Sequence, residues 1–177
     1  MYQSGNIGFR PIEETDLEIL RQLRNDMSTF LNLGTVDMAS LQGQQTWWKR
    51  DLYSARDQRL TLVQIDTKEV IGVLRITGID HENANCEVGL DLVLEKRGQG
   101  LGKASYACVL EYLFDQKNMH MIYVKVAEFN PVAAKLYKAL GFEHTGCYKD
   151  YLFRHGRYWD YHLMCLTRTR HNALRKN

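Results

Sequence analysis

The chain has 177 residues, of which 45% are hydrophobic and 25% charged, a balance that excludes disorder and allows one domain with a closed apolar core. Its net charge of +2 is too small to call for a nucleic-acid partner, and no unbroken apolar stretch reaches membrane-spanning length. Four cysteines (Cys86, Cys108, Cys147, Cys165) form no C-x-x-C pair, six histidines form no H-x-x-x-H pair, and no apolar leader follows Met1. Reduced thiols, a cytoplasmic location and no metal site are therefore expected.

In chain order, Ile7 to Ile12 reads as a short strand ending near Pro11. Thr15 and Glu18 have capping-box spacing, ahead of Leu17, Leu20, Leu23 and Met27 at helical intervals. A second helix is expected over Ser40 to Tyr53, carrying Trp47, Trp48 and Leu52. Leu60 to Ile65 and Val70 to Ile76, parted by four polar residues, predict an antiparallel hairpin. From Cys86 the alternation puts Cys86, Val88, Leu90 and Leu92 on one face and Glu87, Gly89, Asp91 and Val93 on the other. After a glycine-rich turn, Tyr106, Ala107, Val109, Leu110, Leu113 and Phe114 form the apolar stripe of a helix.

Met121 to Ala127 is the next predicted strand. Asn130 is a favoured N-cap and Pro131 suits the first helical position, where its missing N–H has no partner to lose. The helix so started carries Ala133, Leu136, Tyr137 and Leu140 inward, and Gly141 ends it. Two strands, about Phe142 to Leu152 and Tyr158 to Leu166, are joined through His155 and Gly156. The basic run of Arg168, Arg170, His171, Arg175 and Lys176 reads as a solvated, frayed tail over 167–177, beyond a core of about 7–166. The pattern predicts an α/β (α+β) fold, a mixed sheet with helices on its faces.

The strongest chemical signal is Arg97-Gly98-Gln99-Gly100-Leu101-Gly102-Lys103, between a strand and a helix. Glycines there let a bulky anion approach the backbone, and the helix start offers free N–H groups and the positive end of its dipole. Two nucleotide motifs fail to fit. From Gly98 the run is one residue short of G-x-G-x-x-G, and a P-loop would need glycine at Arg97 and a hydroxyl at Ala104.

The run matches the R/Q-x-x-G-x-G/A pattern of the GCN5-related N-acetyltransferase (GNAT) superfamily. Downstream, Asn130-Pro131-Val132-Ala133-Ala134-Lys135-Leu136-Tyr137-Lys138-Ala139-Leu140-Gly141-Phe142 is similar to that family's N-x-x-A-x-x-L-Y-x-x-x-G-F segment. The chain thus resembles a GNAT protein over about residues 7 to 166. The resemblance implies a mostly antiparallel mixed sheet of about seven strands with about four helices, and a splayed strand pair that takes acetyl-CoA. It implies that Leu90, Asp91 and Leu92 pair with the pantetheine arm and that Arg97, Gly98, Gln99, Gly100, Leu101, Gly102 and Lys103 hold the pyrophosphate. Asn130 would sit near the thiol end. Tyr137 would be the acid that protonates the departing thiolate, and Glu87 the base, with water as the other option. Some relatives carry a glutamate on the next strand, where this chain has Lys125.

The implied partners are acetyl-CoA and an amine, with no nucleic acid and no membrane; a homodimer is left open. Leu23-Arg24-Asn25 with Glu87 and Phe129-Asn130 resembles bacterial amino-sugar nucleotide acetyltransferases. Gly146, Phe153, Gly156, Tyr158 and Met164 resemble the polyamine and ribosomal-protein groups. A polyamine would need carboxylates, available at Glu13, Glu14, Asp26, Asp37, Asp80 and Glu82. A sugar nucleotide would need Arg10, Arg24, Trp47 or Trp48. A small-molecule amine is favoured over a protein N-terminus. An acyl-CoA sensor without turnover is the remaining reading.

Overall fold

The computed structural model describes residues 1–50 and 54–176. Among these, eight strands form one sheet in the order β1-β2-β3-β4-β5-β6-β8-β7. The strands are β1 (Tyr2–Ser4), β2 (Ile7–Pro11), β3 (Gln58–Gln64), β4 (Val70–Asp80), β5 (Asn85–Leu92), β6 (Met121–Ala127), β7 (Glu143–Arg154) and β8 (Arg157–Thr167). Neighbours pair antiparallel except β5 and β6, which run parallel and meet only at Asn85↔Met121, Cys86↔Ile122 and Glu87↔Tyr123. The helices are α1 (Leu17–Asn25), α2 (Met27–Phe30), α3 (Leu41–Arg50), α4 (Leu101–Glu111), α5 (Pro131–Ala139) and α6 (Arg168–Leu174). Eight strands and six helices among the described residues exceed the expected seven and four, because β1, α2 and α6 are too short or too polar to stand out by periodicity.

Each face of the sheet is covered by its own apolar layer. On one, Leu62, Leu74, Ile76 and Val88 pack against Val109, Leu110 and Phe114 of the α4 segment. On the other, Ile12, Leu17, Leu20 and Leu23 pack with Trp47, Trp48, Val73 and Val93. Ala107 is exposed, and Ser105 and Cys108 are buried beside Tyr106 and Val109 in its place. A π turn over Tyr112–Gln116 ends this helix.

The expected Thr15–Glu18 capping box does not form. Asp16, 3% exposed, instead accepts from the Glu13 N–H (3.0 Å), from Arg10 Nη1 (2.6 Å) and from the Thr61 hydroxyl (2.8 Å). The shorter carboxylate is held in place by two strands, which a local pattern does not register. The second helix spans Leu41–Arg50; Leu52 and Tyr53, included in the expectation, lie outside the described residues. The β3–β4 hairpin, β6 and α5 fall where expected, with Asn130 Oδ1 accepting from the Ala133 N–H at 3.1 Å.

The basic terminus is not a frayed tail. Thr167 caps α6 by accepting from the Arg170 N–H. Arg168 donates to the Met119 carbonyl (2.7 Å), Arg170 Nε to the Gly141 carbonyl (2.7 Å), and Arg175 pairs with Asp115 (2.7 Å). The arginines close carbonyls left open at the ends of other elements, which orders the helix.

Candidate active site

The short β5–β6 contact is the origin of the site. Beyond Glu87 and Tyr123 the two strands part, so the outer edge of β5 has no ladder partner among the described residues. The Val93 N–H donates to the Ile71 carbonyl (3.0 Å) on the β4 side. By the alternation of a strand, Asp91 spends its main chain on β4, whereas Leu90 and Leu92 turn theirs into the gap. β4 and β5 lie close here, since a Cβ on Gly72 would collide with the Asp91 carbonyl.

The gap leads to the glycine turn. Gly98 and Gly100 adopt left-handed backbone (φ 74° and 78°), and a Cβ at either would meet nothing within 4 Å, so the turn is open on the side where an anion would approach. Gly100 is the N-cap of α4, whose first helical amides, Leu101, Gly102 and Lys103, have no preceding turn to bond; the Ala104 N–H is the first to reach back, to the Gly100 carbonyl (3.2 Å). Open space, unspent amides and a helix N-terminus fit a pyrophosphate. Side chains contribute less. Arg97 turns away, donating from Nε to the Leu92 carbonyl (2.9 Å) and from its two terminal nitrogens to Ser28 and Thr29 of α2 (2.6 Å each). Gln99 Nε2 donates to the Glu95 carbonyl (2.6 Å), Gly102 packs on Leu136, and Lys103 is exposed. Asn130 holds α5 with Oδ1 and donates from Nδ2 to Asn32 Oδ1 (2.9 Å).

Tyr137, on α5, is 8% exposed, its ring edge-on to Tyr106 of α4. The Tyr106 and Tyr137 hydroxyls are hydrogen-bonded at 3.1 Å. Burial raises the Tyr137 pKa, and the Tyr106 hydrogen bond and the charge of Arg75 work against that rise. The phenol is therefore protonated at neutral pH, and its phenolate, once formed, is met by a donor and a cation. Glu87 is not a free carboxylate: it pairs with Lys125 across the strand seam at 2.8 Å. Burial weighs against the Lys125 ammonium, but Glu87 outweighs it and the pKa ends above its ordinary value. The lysine standing where some relatives carry a glutamate is thus the partner of the expected base.

Cys86 and Cys108 are poor nucleophiles, since burial pushes their thiols up to about 12 and about 11. All four cysteines are free, and no cluster of metal-ligating side chains occurs among the described residues. No described helix is long and apolar enough to cross a membrane.

On the opposite face of β5 lies a cavity of about 480 Å³, roofed by Leu23 and Trp47 and floored by Arg59, Val73, Arg75 and Asp91. Arg75 joins the two sites. Its guanidinium lies over Gly89, where a Cβ would come within 2.9 Å of Nη2, and it pairs with Asp91. Sequence reading missed Tyr106, absorbed into an apolar stripe, and Arg59 and Arg75. The only signal for Arg75 was a charge inside the apolar run Val70 to Ile76.

A family model described as Acetyltransferase (GNAT) domain matches residues 6–143. The spermidine N(1)-acetyltransferase of Vibrio cholerae is 24% identical over 168 residues, 95% of this chain and 96% of that protein. An uncharacterized N-acetyltransferase, p20, of Bacillus licheniformis is 28% identical over 160 residues, covering 89% and 90% of the two. Among solved structures, the Vibrio cholerae spermidine N-acetyltransferase in complex with CoA and spermine matches with a TM-score of 0.88 at 23% identity. That match covers 94% of this chain and 98% of the other and speaks for the fold.

Proposed function

We propose, from the premise that this chain belongs to the GNAT family of acetyl-CoA-dependent N-acetyltransferases, that it moves the acetyl group directly to a primary amine of a small molecule. The observation that carries this reading is a strand gap that ends in an open glycine turn, together with the buried Tyr137 hydroxyl and its Tyr106 partner. Acetyl-CoA supplies the acetyl thioester. The gap edge of Leu90 and Leu92 takes the extended arm, and the amides of 98–103 take the pyrophosphate.

The amine nitrogen forms the new bond to the acyl carbon as the carbon–sulfur bond breaks. Tyr137 gives its proton to the leaving sulfur, and Tyr106 and Arg75 steady the phenolate. The proton lost by the amine passes to Glu87 or to water. With Glu87 held by Lys125, water in the cavity is the more direct route. The protonated cysteines support direct transfer over an acyl-enzyme. A cavity of about 480 Å³ has the size of a small-molecule site. The relatives named for spermidine make polyamines one class to test.

The whole chain is read as a single catalytic domain acting in the cytoplasm, in keeping with its free cysteines. Thiol release from acetyl-CoA over a panel of amines, with Tyr137→Phe alongside, tests the reading. Turnover lost in the variant with CoA affinity kept is the expected result; CoA binding with no release for any amine would leave a sensor instead.

A further inference from the structure

The cavity behind β5 carries charge of the wrong sign for a polycation. Of the six acidic residues that could have gathered for a polyamine, only Asp37 lines it. Glu13, Glu14 and Glu82 are exposed, Asp26 caps α2, and Asp80 binds Asn83. Three arginines line it instead: Arg24, Arg59 and Arg75, against Asp37 and Asp91. Asp91 is already neutralised by Arg75. Arg24 donates to the Thr35 hydroxyl (2.7 Å) and the Asp37 carbonyl (3.2 Å).

Arg59 is the exception. It sits directly opposite Arg75 in the β3–β4 ladder, and like charges in that position repel. Among the described residues it makes one hydrogen bond, a long one from Nη1 to the Gln58 carbonyl (3.4 Å), and has no carboxylate within ion-pair distance. Burial and the field of Arg75 lower its pKa, opposed by Asp57; Arg24 lowers it further and Glu87 raises it. A guanidinium does not escape this by losing its proton, so a half-buried fork with most of its donors unspent is completed by an anion.

Resting on the acetyltransferase reading above, we propose that the acceptor is a small primary amine that also bears an anionic group, a phosphate or a carboxylate. Arg59 and Arg24 clasp that group in the cavity while the amine is presented past Arg75 to the thioester. Trp47 forms the apolar wall against which the body of the molecule lies.

The test uses matched amines with the full chain and acetyl-CoA: ethanolamine against O-phosphoethanolamine, glucosamine against glucosamine 6-phosphate, propylamine against β-alanine, and spermidine. The expected result is kcat/KM about tenfold or more higher for an anion-bearing member than for its mate. Which pair shows it separates phosphate from carboxylate. Arg59→Met should collapse that ratio to about one, mainly through KM, with Arg59→Lys intermediate and CoA affinity unchanged in both. As a readout apart from turnover, inorganic phosphate should raise the Tm of the CoA-saturated protein but not of CoA-saturated Arg59→Met. Preference for spermidine, or equal rates within every pair, would overturn the inference and leave the acetyltransferase reading standing. CoA binding without thiol release for any amine would remove both.

Discussion

The two halves of the site, joined at Arg75 and Asp91, are made of different materials. The proposed cofactor side is main chain: the outer edge of β5, two left-handed glycines and the first amides of α4, with Tyr137 as its principal side chain. The proposed acceptor side is side chain: three arginines, two aspartates and a tryptophan brought from α1, the loop before α3, α3, β3, β4 and β5. A site of backbone amides depends on turn shape and survives changes around it. A site of side chains changes its preference with a few substitutions, so one fold keeps its donor while its acceptors vary.

That contrast breaks most sharply at Tyr137. Replacing it with Phe should lower kcat by about 100-fold or more, the usual scale of a lost general acid, while calorimetry shows CoA affinity unchanged. A variant with full turnover would move the acid elsewhere. Gly100→Val tests the backbone half. A β-branched residue at φ 78° is strained, and CoA affinity should fall about tenfold in a titration, with the acceptor KM little altered. Unchanged affinity would displace the pyrophosphate from this turn. Tyr106→Phe keeps the ring in its packed position and removes one donor to the phenolate, so kcat should drop about 3- to 10-fold with the KM for acetyl-CoA held. If the KM moves instead, Tyr106 is a packing residue. The mildest effect is that of salt. Between about 50 and 500 mM, the KM for acetyl-CoA should rise less than about threefold, and the acceptor KM should rise more steeply, because amides grip one ligand and guanidinium groups the other. The reverse order would assign the phosphate grip to Lys103 and its neighbours.

The same division sets what the sequence reveals. Gly98, Gly100, Asn130, Pro131 and Gly141 report local backbone geometry, and the structure realises each of them, with Gly141 at φ 93°. The proposed acceptor cavity depends on register: Arg59 meets Arg75 across a hairpin, and Arg75 lies over Gly89, where a Cβ would crowd it, to reach Asp91. No window of a dozen residues contains that arrangement. Tyr106 fell into an apolar stripe because periodicity registers its ring and not its hydroxyl, which matters only through a helix 31 positions away. The terminal arginines were misjudged for the same reason, their acceptors being carbonyls at Met119 and Gly141 and a carboxylate at Asp115. Asp16 likewise belongs to a network with Arg10 and Thr61.

The brevity of the β5–β6 ladder has a mechanical side. Among the described residues, three residue pairs form the ladder that joins strands β1 to β5 to strands β6, β8 and β7. In the proposed site, a cofactor arm lying along that seam would act as a ninth strand and staple the two parts together. Its binding energy is then also cohesion of the protein, so the loaded form should open its two halves far more slowly than the free one when native-state hydrogen exchange is followed at β5 and β6.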